Sequence, residues 1–133
     1  MNTAGVQPMT AALIVEDEQL IGIYLAQMLN DVGIDTVIAG TAAAAMQLVS
    51  EQAFNLMFID LGLPDQSGLE VIDAVQRDKP SMKIVISTGY TESVLRDSII
   101  GQRNVRLLSK PYAASELVAA LSACGIPITS QTT

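Results

Sequence analysis

Five short apolar runs, each followed by a segment with helical spacing, restrict this chain to very few folds. Ala11–Val15, Thr36–Ala39, Leu56–Ile59, Met82–Ile86 and Val105–Leu108 have the length and aliphatic make-up of strands buried on both faces. Between them the period changes. Ile21, Leu25, Met28, Leu29 and Val32 recur on one side of a helix, which Gly33 is placed to stop. Thr41 reads as the N-cap of an alanine-rich helix that turns Ala45, Leu48 and Val49 inward. Leu69, Ile72 and Val75 predict a helix from about Gly68 to Arg77, and a weaker pattern covers residues 91–100. The last helix runs over 114–124, with Leu117, Leu121 and Cys124 on one side and Gly125 and Pro127 as its stop. Five β-α units in succession call for an α/β fold: a doubly wound parallel sheet with helices on both faces, joined by right-handed crossovers.

The strands end in an unusual way. The first stops at Glu16-Asp17-Glu18, the third at Asp60, the fourth at Thr88 and the fifth at Lys110-Pro111. Behind Asp60 come Gly62, Pro64, Asp65, Ser67 and Gly68, the residues of a tight loop in which Asp65 reads as a turn residue. In doubly wound sheets ligands bind beyond the C-terminal strand ends, at the reversal of strand order. The topology therefore gathers three acids, a hydroxyl and an amine on one edge.

Carboxylates crowded together repel unless a cation sits among them. Hard oxygen ligands that cage an ion incompletely suit Mg²⁺, which keeps several waters and takes one or two carboxylates with phosphate oxygens. Glu16, Asp17 and Asp60 are the candidate ligands, with the backbone carbonyl of Gly62 as a further one. A carboxylate beside Mg²⁺ can take up a phosphoryl group as an acyl phosphate, and Thr88 and Lys110 supply the compensating donors. The chain contains no histidine, so the phosphoryl donor must be a small molecule or another protein. Glu18 has a simpler reading, an acid in the first turn of a helix.

Composition narrows the function classes. The net charge is −7; residues 1–76 hold ten acids and no Lys or Arg, whereas residues 77–133 hold all seven basic residues and four acids. Such a chain lacks the basic face that nucleic-acid phosphates require. No apolar run is long enough for a membrane span, the N-terminus carries no basic and apolar secretory signal, and Cys124 is the only cysteine. These features lead to the expectation of a cytoplasmic protein. Residues 1–10 are expected as a flexible lead-in, 11–125 as one domain and 126–133 as a short tail.

Taken together, Ile14-Val15-Glu16-Asp17-Glu18, Asp60-Leu-Gly-Leu-Pro-Asp65 with Ser67-Gly68, Thr88-Gly89 and Lys110-Pro111 resemble the receiver domain of bacterial two-component response regulators. They follow the family's order and approximate spacings over residues 12 to about 124. The resemblance implies a flavodoxin-like three-layer (βα)5 sandwich, sheet order 2-1-3-4-5, with the first and last helices on one face and the other three opposite. It implies Asp60 as phosphoacceptor, Glu16 and Asp17 as holders of Mg²⁺, Thr88 as a phosphoryl contact, and Lys110 as its ion partner before a cis peptide to Pro111. A sensor histidine kinase or histidine phosphotransfer protein is the implied donor. The chain departs from the pattern at Leu107, where many receivers carry a Tyr or Phe that swings inward when the strand-end Thr engages phosphate. Tyr90 reads either as a shield for the phosphoryl group or as a loop aromatic.

With about ten residues after the last helix, a stand-alone receiver is the leading expectation. Its output would pass to a downstream protein through the face built by residues 91–100, the fifth strand and the last helix. A phosphate shuttle or sink in a relay, and a degenerate receiver that binds partners without phosphorylation, are the alternatives. An aspartyl-phosphate hydrolase would need a second Asp where Gly62 stands. A flavin-type cofactor binder would need a phosphate-cradling loop where Glu16-Asp17-Glu18 stands. Gly62 also offers no side chain to position an attacking water, so slow self-dephosphorylation is expected.

Overall fold

The computed structural model describes residues 10–89 and 104–128. Strands β1 (Thr10–Val15), β2 (Ile34–Ala39), β3 (Leu56–Ile59), β4 (Lys83–Thr88) and β5 (Val105–Ser109) form one sheet in the order β2-β1-β3-β4-β5, with every neighbouring pair parallel. The described helices are α1 (Gln19–Asp31), α2 (Ala42–Glu51), α3 (Gly68–Asp78) and α4 (Ala114–Ala123). The doubly wound sheet and its strand order are those the sequence implied. The helix expected over 91–100, Tyr90, and the expected chain termini before Thr10 and after Ile128 lie outside the described residues.

Strand alternation sends successive side chains to opposite faces, and each face has its own core. Leu13, Val15, Met57, Ile59, Ile84 and Ile86 pack with Ala42, Ala45 and Val49 of α2 and with Val71, Ile72 and Val75 of α3. Ala12, Ile14, Leu56, Phe58 and Val85 pack with Leu25 and Leu29 of α1 and with Leu117 and Leu121 of α4. Leu56 to Ile59 are all between 0% and 1% exposed, so β3 is buried on both sides. Each such side chain contributes about 1.5–3 kcal/mol of burial free energy. This doubly covered strand sets the depth at which Asp60 emerges.

Element boundaries moved where pairing extends a strand beyond its apolar run. β1 starts at Thr10 and β2 at Ile34, whose residues pair with each other. β4 runs on to Thr88 because Ser87 and Thr88 lie in register with Leu108 and Ser109. The core also reaches further along the chain than expected: Ile126, read as the start of the tail, is buried against α4, with its N–H donating to the Leu121 carbonyl at 3.0 Å. Gly33 ends α1 with φ of 88°, a left-handed conformation that L side chains resist. Glu18 is the N-cap residue of α1, not a first-turn acid, and its side chain makes no capping bond.

Candidate functional site

The acids are carried to the sheet edge by the ladder itself. The Glu16 N–H donates to the Ala39 carbonyl and the Asp60 N–H to the Val15 carbonyl, both at 3.0 Å, so each acid sits one hydrogen-bonded step beyond its strand. Glu16, Asp17 and Asp60 each present a carboxylate oxygen within 4.8 Å of the other two. Lys110 arrives from the end of β5, and its Nζ lies 2.8 Å from Glu16 Oε1 and 2.8 Å from Asp60 Oδ2. The remaining oxygens are also used: Asp60 Oδ1 accepts the Gly62 N–H at 2.9 Å, and Glu16 Oε2 accepts the Glu18 N–H at 3.2 Å. The Lys110–Pro111 peptide is cis. β4 brings the backbone of Thr88 to the same edge beside Ser109, while its side chain lies outside the described residues.

The two neighbouring acids play unequal parts. Glu16 is the buried one, 5% exposed, and it is Glu16 that bonds Lys110. Burial pushes the Glu16 carboxyl above its ordinary pKa, against the opposing pull of the Lys110 ammonium and the Glu18 N–H. Burial would lower the Lys110 ammonium, but its bonds to Asp60 and Glu16 outweigh that and hold it above the usual lysine value. One ammonium cannot balance the set. Three carboxylates and Lys110 leave a formal charge of −2, and like charges separated by the 4.8 Å that bounds this cluster repel by about 3 kcal/mol at the effective dielectric of a protein surface. An all-oxygen donor set with that surplus fits a small hard dication, and the residues present therefore fit Mg²⁺.

The loop after β3 is held tightly. Gly68 packs so closely that a Cβ there would lie 2.8 Å from both the Asp60 carbonyl oxygen and the Leu61 Cα, and its N–H donates to the Leu61 carbonyl at 3.1 Å. A family model for the response regulator receiver domain matches residues 12–122, the span that contains all of these residues.

The chain belongs to the response regulator receiver family. It is 34% identical over 113 residues to the photosynthetic apparatus regulatory protein RegA of Rhodobacter capsulatus, covering 85% of this chain and 61% of that protein. It is 26% identical over 110 residues to the response regulator receiver protein CpdR of Brucella abortus, covering 83% of this chain and 92% of that one. Among solved structures, a CheY-like receiver domain from Methanospirillum hungatei superposes with a TM-score of 0.76 at 28% identity, covering 87% of this chain and 93% of its own. The receiver thus spans less than two thirds of RegA and nearly all of CpdR. Among the described residues no helix is long and apolar enough to cross a membrane.

Two features of this receiver were not anticipated. Asp65, read as a turn residue, reaches across to α2: its Oδ1 accepts the Ala42 N–H at 2.9 Å and its Oδ2 the Ala43 N–H at 3.0 Å. Beside Lys110, an apolar groove of about 370 Å³ opens between α1 and the Pro111-Tyr112 turn, lined by Leu20, Ile21 and Tyr24. Its signal was present in the sequence. Leu20 and Tyr24 lie off the inward stripe of α1 and are 82% and 58% exposed. Leu107, at the position where many receivers carry an aromatic, is partly buried against the α2–α3 core.

Proposed function

We propose that this receiver is a phosphorylation-dependent signalling switch in which Asp60 takes the phosphoryl group from a histidine kinase or histidine phosphotransfer protein. The observation that carries the reading is the joining of a strand-end carboxylate to a lysine at 2.8 Å inside a cluster of acids. In this reading Glu16, Asp17, Asp60 and the Gly62 carbonyl hold Mg²⁺, which when bound offsets the charge of the phosphoryl oxygens and the carboxylates. An Asp60 oxygen attacks phosphorus, the O–P bond forms, and the P–N bond of the phosphohistidine breaks with its electron pair returning to the imidazole. Lys110 exchanges Asp60 for a phosphoryl oxygen, and the Thr88 hydroxyl donates to another. With Leu107 in place of a ring, the response passes to a downstream protein without an aromatic that alternates between buried and exposed. A cytoplasmic setting agrees with such a donor, and slow self-dephosphorylation agrees with the bare Gly62.

The donor protein meets the groove lined by Leu20, Tyr24 and Tyr112, whose apolar side chains adjoin Lys110. Phosphotransfer from a panel of purified, radiolabelled histidine kinases tests this reading. At least one kinase is expected to label the wild type and not Asp60→Asn, and Leu20→Asp is expected to slow that transfer while leaving labelling by acetyl phosphate unchanged. Labelling of Asp60→Asn at the wild-type rate would overturn the assignment of the acceptor.

A further inference from the structure

We propose that Asp65 is a positioning residue for the metal and phosphoryl site, acting by tying the loop that carries Gly62 to the N-terminus of α2. This rests on the reading of Glu16, Asp17 and Asp60 as a Mg²⁺ site. A helix leaves its first N–H groups without partners inside the helix. In α2 the Ala44 N–H is taken by the Thr41 hydroxyl at 3.1 Å, while those of Ala42 and Ala43 are taken by the two oxygens of Asp65. The carboxylate thus faces the positive end of the helix, and its pKa is lowered first of all by the Ala42 and Ala43 N–H groups.

Thr41 and Asp65 both cap α2, but only Asp65 also belongs to the site loop. The helix it grips is a firm anchor, since Ala42 and Ala45 are 0% exposed and Val49 3%. At the other end of the loop Gly68 is clamped on Leu61 and the Asp60 carbonyl. Gly62, Leu63 and Pro64 are therefore strung between two fixed points, with the proline ring restricting the backbone just before Asp65. Gly62 donates to Asp60 Oδ1, so a change in the path of the loop rotates the carboxylate that the reaction uses. The polar tether adds direction to a loop whose Leu61 and Leu63 already pack on the core.

The contrast between the two caps gives the test. Wild type, Asp65→Ala, Asp65→Asn and Thr41→Ala are compared by thermal unfolding and by titration with MgCl₂, followed through the Gly62 amide resonance. Both alanine variants are expected to lose stability. Only Asp65→Ala is expected to weaken Mg²⁺ binding, by roughly tenfold, the lower end of what groups supporting metal ligands usually cost. Asp65→Asn keeps one acceptor oxygen and should fall between Asp65→Ala and the wild type. If Asp65→Ala loses stability as Thr41→Ala does while its Mg²⁺ affinity and Gly62 resonance stay at wild-type values, Asp65 is a helix cap only and the proposal fails. Absence of Mg²⁺ binding by the wild type would overturn both the proposal and the metal reading beneath it.

Discussion

The two ends of the sheet use polar groups in opposite ways. At the end where the strands begin, polar side chains close the backbone. Asn55 accepts the Ala11 N–H at 2.8 Å, the Lys83 ammonium donates to Asn104 Oδ1 at 2.8 Å, and Asn104 Nδ2 donates to the Pro80 carbonyl at 3.0 Å. At the end where the strands finish, charges are set against charges: three carboxylates crowd together, and two of them, Glu16 and Asp60, share one lysine. The first arrangement satisfies groups that folding would otherwise strand. The second concentrates negative charge that folding does not need, and it is retained at an electrostatic cost. Polar groups at the beginning of the sheet should therefore affect stability alone, while those at its end should separate stability from binding.

The largest effect is expected at Lys110. Lys110→Ala leaves the buried Glu16 carboxylate without its cation, and breaking a pair of this kind costs about 3 kcal/mol. The loss should appear in urea unfolding with chelator and shrink when Mg²⁺ is added, because the dication replaces the missing charge. An equal loss in both conditions would break the comparison. Gly68→Ala comes next. The added methyl meets backbone at 2.8 Å, so the loop must move, at a cost of about 2 kcal/mol. An unchanged unfolding midpoint would mean that the loop is not clamped between Leu61 and α3.

Asn55→Ala, at the opposite end, removes one backbone acceptor and should cost about 1 kcal/mol without altering Mg²⁺ affinity. A shift in affinity there would show that the two ends are coupled. The smallest effect is one of pH. The Asp65 carboxyl is held below its ordinary pKa by the Ala42 and Ala43 N–H groups. Its contribution to stability is therefore present above the ordinary carboxylate value and lost as pH falls through the lowered one. Wild type and Asp65→Asn should converge in stability at the acid end, and a constant gap down to the lowest pH would contradict the sign.

How much of this was legible in the sequence depended on the range of the interaction. The β-α alternation and the acids at strand ends are local patterns, and they gave the fold class and the edge to examine. The Asp65 bonds to α2 join residues 22 and 23 apart, and the Lys110–Glu16 pair joins residues 94 apart. Such partners emerge only once the elements are docked. The unequal burial of Glu16 and Asp17 was not legible, for a different reason. Adjacent residues point to opposite sides, and which one turns inward depends on how the chain enters α1, with Glu18 as its N-cap residue and the Glu18 N–H on Glu16 Oε2. The excess apolar surface of α1 was readable, since Leu20 and Tyr24 lie off the inward stripe.

The central claim is that the charged end of the sheet makes Asp60 a Mg²⁺-dependent phosphoacceptor. Purified wild type and Asp60→Asn, incubated with acetyl phosphate in Mg²⁺ or in chelator and weighed intact, test it most directly. The account predicts a gain of one phosphoryl group, about 80 Da, in the wild type with Mg²⁺ and in no other sample. An equal gain in Asp60→Asn, or no gain in a wild type that binds Mg²⁺, would contradict it.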